Sequence, residues 1–206
     1  MELLGTTPRA PGRRFRAWRV LAGLAFLSPV LAPPPAVADP ASEVYPTKEY
    51  QIKAVFLYNF VQFVEWPASA FADASSPLRI GVLGRDPFGP ALDEALGGES
   101  VRGRPLAVRR ASRVEELDDC QLVFIAASET RNAPAHLARL RDRPVLTVGE
   151  GDEFMRDGGG IAFYPEGRKI RFAINVHEVR RRGLRISAEL LGLGKNVGET
   201  SMAGGP

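Results

Sequence analysis

LRIGVLGRDPFG, residues 78–89, decides how the rest of this chain is read. Leu78 to Leu83 is a short apolar run closed by Gly84, and it leads into Asp86-Pro87, where an aspartate can cap a helix that a proline opens. The stretch therefore predicts strand, turn and helix, the helix carrying Ala91, Leu92, Ala95 and Leu96 until Gly97-Gly98 stops it. Working outward, Pro105 to Val108, Leu122 to Ala126 and Val145 to Val148 read as three further strands. A helix around Pro134 to Leu140, with Asn132 as candidate cap, separates the last two. Runs that are apolar throughout belong to strands buried on both faces. Spaced by helices, they predict a mainly parallel sheet covered on each side.

Further along, Ile161 to Asn175 changes to strict alternation, with Pro165-Glu166-Gly167 between its halves. This predicts an antiparallel hairpin at an edge of the sheet. The alternation packs Phe163 and Phe172 inward and turns Lys169 and Arg171 outward together, which makes those two cations candidate partner contacts. Asn175 can cap a short helix ending at Gly183, and Ser187 to Leu193 can form another turn or two. Upstream, Lys48 to Trp66 predicts a helix whose polar residues Lys48, Gln51, Asn59, Gln62 and Glu65 form one narrow stripe. Ile52, Phe56, Leu57, Phe60, Val61, Phe63 and Val64 on the rest of its circumference must then be covered, by the core first and by a partner where the core ends. Pro67 disfavours continuation past Trp66. The fold expected is a single three-layer α/β domain over residues 48–193: a mainly parallel sheet flanked by helices, with a C-terminal antiparallel hairpin.

The ends of the chain read differently. Arg9, Arg13, Arg14, Arg16 and Arg19 precede an apolar run from Val20 to Leu31, then prolines, then Ala36-Val37-Ala38, the order of a secretory signal peptide cleaved before Asp39. The run is too short to cross a bilayer, which needs about 20 apolar residues. Residues 1–38 are thus expected to be a leader, 39–47 a linker, and the small, polar, glycine-rich residues 194–206 a flexible tail. Losing the leader removes five arginines and Glu2, so 27 basic and 24 acidic groups become 22 and 23, net −1. The basic character belongs to the export signal, and nucleic acid is not expected as a partner. Cys120 is the sole cysteine, so no disulfide can form within the chain. It reads as a small buried hydrophobe.

No assembled chemistry is visible. His136 and His177 with Cys120 offer no zinc spacing, no G-x-S-x-G elbow occurs, and no metal, cofactor or catalytic residue is expected. Gly81 to Gly89 is a glycine turn leading to a helix N-terminus, yet it matches neither phosphate-binding fingerprint. The rule that open α/β sheets bind ligands at the carboxyl ends of their strands leaves Gly84, Asp86, Ser128 and Gly149 as candidate ligand-binding residues. Arg180-Arg181-Arg182 reads as a solvated helix face.

KAVFLYNFVQFVEWP (53–67), IGVLGRDPFG (80–89), CQLVFIA (120–126), VLTVGEGDEF (145–154), GGIAFYPEGRKIRFAINV (159–176) and the late GLRISAELL occur in this order. Together they resemble the YfiR-like family of periplasmic proteins. That resemblance implies a non-enzymatic regulator that binds and represses an inner-membrane sensor with a periplasmic domain, typically a YfiN-type diguanylate cyclase, lowering cyclic di-GMP and biofilm formation. It also implies an outer-membrane lipoprotein as a further partner, and a homodimer is a third possibility. The alternative class is a periplasmic small-ligand-binding domain feeding a sensor kinase or other receptor. Family members carry disulfides, and Cys120 matches one such position. Its counterpart on the first strand falls where this chain has Ile80 and Gly81, so redox control through that bridge is not carried over.

Overall fold

The computed structural model describes residues 47–198. Residues 1–46, on which the expected leader and most of the expected linker fall, and residues 199–206 lie outside them. The described elements are α1 (Lys48–Phe63), β1 (Val64–Glu65), β2 (Leu78–Leu83), α2 (Pro90–Leu96), β3 (Ser100–Val101), β4 (Arg104–Ala111), β5 (Leu122–Ile125), α3 (Ala133–Leu140), β6 (Leu146–Glu150), α4 (Gly151–Arg156), β7 (Ile161–Glu166), β8 (Lys169–Asn175), α5 (Val176–Arg181), β9 (Arg185–Ile186), α6 (Ala188–Leu193) and β10 (Lys195–Val197). Eight strands form one sheet in the order β10-β8-β7-β6-β5-β2-β4-β3. The run from β4 to β7 is parallel, β8 returns antiparallel to β7, β10 lies parallel to β8, and β3 is antiparallel to β4. The mainly parallel α/β architecture expected from the sequence is the one observed.

Apolar runs make this sheet because each of its faces has a core to fill. On one face Leu57 and Phe60 of α1, Phe88, Phe124, Phe163 and Phe172 form the larger cluster, with Val176, Val179 and Leu190 of the late helices. Its rings meet closely: Phe88 stands edge-on to Phe124 at 4.8 Å, and Phe60 to Phe172 at 5.1 Å. On the other face Leu83, Cys120, Val123, Leu137, Leu140, Phe154 and Ala162 form the smaller cluster beneath α3 and α4. Each fully buried Leu or Phe contributes about 1.5–3 kcal/mol.

Four local expectations are corrected. The first helix ends at Phe63 rather than Trp66, because Val64 turns extended and, with Glu65, pairs with Ile186 and Arg185 of β9. The helix after β2 opens at Pro90, not Pro87: Gly89, at φ +50°, turns the chain into it, and Asp86 instead accepts the Phe88 N–H at 2.7 Å. The hairpin is not the edge of the sheet, since Lys195–Val197, counted with the loose tail, pairs alongside β8. Arg182 does not belong to a solvated face. Its side chain is buried and donates to the Val145 carbonyl at 3.4 Å and the Gly158 carbonyl at 3.2 Å.

Candidate functional site

The chain runs from β2 outward to β4 and then returns to β5 on the other side of β2, so the topological switch point lies between the carboxyl ends of β2 and β5. There Gly84 and Ser128 meet. Gly84 sits at φ +91°, and a Cβ on it would fall 2.5 Å from the Ser128 Oγ and 2.7 Å from Glu129. Only glycine fits a positive φ against so close a neighbour. The Ser128 hydroxyl accepts the Arg85 N–H at 2.9 Å, which holds the turn after β5 down over the crevice. Glu129 is bound in turn to Asn132 and to His136, both at 3.2 Å, and these contacts keep its carboxyl below the usual range. Asn132 precedes α3 without capping it through its side chain.

The other two candidates have partners of their own. Asp86 accepts the Arg110 Nε–H at 2.6 Å, and Arg110 also holds Asp93 and the Gly89 carbonyl. Gly149 is buried under Phe154, whose ring occupies the place of a Cβ at 2.6 Å. The cavity left beside Phe154 measures about 20 Å³, room for one water. Gly84, Asp86, Ser128 and Gly149 thus each take part in a turn or in packing.

A constellation absent from the sequence reading sits nearby. Lys53, on the core side of α1, is buried and bonds Glu150 at the end of β6, at 2.8 Å, and Glu49 one turn earlier. Its ammonium lies 4.5 Å from the centre of the Tyr50 ring. Burial, and after it the Glu150 charge, hold the Tyr50 phenol well above its ordinary range. The signal for this site was its spacing. Lys53 shares a face with Phe56, Leu57 and Phe60 and lies outside the polar stripe, so a cation was bound to be carried inward. The arrangement ties α1 to the sheet.

The hairpin carries the third candidate set. Tyr164 pairs with Arg171, Glu166 with Lys169 and Ala162 with Ala173, so the side chains of each pair share a face, the one occupied further in by the smaller cluster. Lys169 and Arg171 are exposed there together, and Arg171 donates to Glu166 at 2.9 Å. Phe163 and Phe172 point to the opposite face and are buried.

Among the described residues no helix is long and apolar enough to cross a membrane, and no cluster of three or more His, Cys, Asp or Glu is placed to hold a metal ion. The fold is that of a mainly parallel α/β domain. Residues 50–195 match the model of the YfiR/HmsC-like family, and the chain belongs to that family, one of periplasmic regulators rather than catalysts. A conserved domain protein from Vibrio cholerae O1 biovar El Tor is similar in structure at TM-score 0.49 and 8% identity, with 73% of this chain covered. The match spans 60% of the length of that protein. No curated protein matches the chain.

Proposed function

We propose that this protein is exported to the periplasm and restrains an inner-membrane sensor, a diguanylate cyclase of the YfiN type, by binding its periplasmic domain. The observation that carries this reading is the family match across residues 50–195. The leader-like N-terminus supports it. So does the outer face of α1, where Ile52 and Val55, three residues apart and thus neighbours on the helix, remain 41% and 53% exposed beside an otherwise well-filled core. A repressor acts only by binding the inactive sensor more tightly than the active one, and a tenfold shift takes a difference of about 1.4 kcal/mol.

Deleting the gene raises cyclic di-GMP and surface attachment on this reading, and an exported copy restores both. A copy lacking residues 1–38 fails to do so, because it stays on the wrong side of the membrane. Unchanged cyclic di-GMP in the deletion strain, with the cyclase expressed, removes the cyclase from the proposal.

A further inference from the structure

The helical layers do not cover the sheet equally. On the face of the smaller cluster α3 and α4 reach β7, and beyond it no described helix covers β8 and β10. A groove of about 810 Å³ opens there, between α4 and β10. Ala173 and Tyr164 form its floor, with Met155 on one wall and Val197, 38% exposed, on the other. Lys195 pairs with Ala173 in register and so stands on the same face.

Several of the domain's arginines are matched by carboxylates: Arg110 by Asp86 and Asp93, Arg79 and Arg109 by Asp119, Arg139 and Arg143 by Asp118. In the groove Arg156 and Lys195 stand on opposite walls with no hydrogen-bonded or ionic partner among the described residues, and Lys169 on the same face has none either. Asp152 is the groove's one acid, and Glu166 is taken by Arg171. The result is an apolar floor between rims of positive charge.

We propose that this groove receives an acidic amphipathic helix of the partner protein, which completes the missing part of the helical layer. An apolar stripe would lie on Ala173, Tyr164, Met155 and Val197 while carboxylates on its flanks meet Arg156, Lys195 and Lys169. A helix is the fitting element because the groove lies on the sheet's face, where this fold already seats helices, and not along its hydrogen-bonding edge. The proposal rests on the regulator reading and locates its interface.

The test uses the mature protein and two labelled synthetic helices, one with a leucine stripe flanked by glutamates and one with lysines in place of the glutamates. Fluorescence anisotropy should show the acidic peptide binding and the basic one not. Arg156→Glu with Lys195→Glu, and separately Ala173→Trp, which fills the floor, should each weaken binding about tenfold or more, and salt should weaken it further. Circular dichroism checks that both variants are folded. Equal binding of the two peptides, no binding of the acidic one, or unchanged binding by both folded variants overturns the groove. So does loss of peptide binding that tracks only dissociation of a dimer in gel filtration, since the occupant is then a second copy. In cells the same variants should raise cyclic di-GMP as the deletion does. If the deletion raises it and the folded variants still repress, the groove is wrong and the regulator stands; if the deletion has no effect, the cyclase reading is what fails.

Discussion

A lysine ammonium inside an aromatic core is stable only while its counter-charges hold it. Lys53 is 3% exposed, whereas Glu49 and Glu150 are partly exposed, so the desolvation cost of the pairing falls mainly on the lysine. Lys53→Ala removes both the charge and the packing of its stem, and should lower stability by about 3 kcal/mol. Lys53→Met keeps the volume and should cost less, a ranking read directly from urea midpoints at constant m. Cys120 presents the opposite case, an ionisable group kept neutral. Burial chiefly, with the neighbouring Asp119 charge, pushes its thiol up to about 12 from an ordinary 9.0. Its native form holds the proton while the unfolded form releases it, so this group subtracts stability as pH rises from about 9 towards 12. The native thiol should not react with Ellman's reagent at pH 8 and should react fully in denaturant; fast native labelling would contradict the burial. A Cβ placed on Gly81 would lie 3.2 Å from the Cys120 Sγ, within disulfide reach. Gly81→Cys treated with oxidised glutathione, which takes up the two electrons and leaves as two glutathione thiols, should therefore form a bridge once the Leu117 side chain yields, with loss of both titratable protein thiols.

Short helices depend on their ends. Asn175 accepts the Glu178 N–H at 3.2 Å and Ser187 accepts the Leu190 N–H at 3.2 Å, so two six-residue helices each start on a side-chain cap. Asn175→Ala and Ser187→Ala should each cost about 1 kcal/mol, and the effects should add, since the caps serve separate helices. Thermal melts of the singles and the double measure this. The Asn175 cap was legible in the sequence, whereas Ser187, read as the first residue of its helix, is the cap ahead of it. The start of α2 was not legible, because Asp86 and Pro87 satisfy the same local rule as Gly89 and Pro90, and burial of Phe88 selects the later one. The three-residue β10 was equally illegible. Lys-Asn-Val carries no strand pattern, and it becomes a strand because β8 offers it a ladder.

At the scale of the molecule, export is the property furthest from the described residues and the simplest to check. The mature chain should begin at Asp39, so N-terminal sequencing of periplasmic protein should read Asp-Pro-Ala-Ser, and recovery of the leader intact in the membrane fraction would oppose it. The sequence by itself determined the mainly parallel sheet, its order of strand and helix and the hairpin, because continuous apolar runs, glycine stops and alternation act locally and repeat along the chain. It also marked Lys169 and Arg171 as outward neighbours, since a strand's period of two needs no tertiary knowledge. Only the tertiary structure decided which polar groups would be drawn inside. Lys53 meets Glu150 across 97 residues, Arg182 reaches Val145 across 37, and Gly84 meets Ser128 of another strand's turn. Those outcomes turn on which faces the sheet brings together and which the helices leave uncovered. Contacts so distant in sequence leave no local period to read.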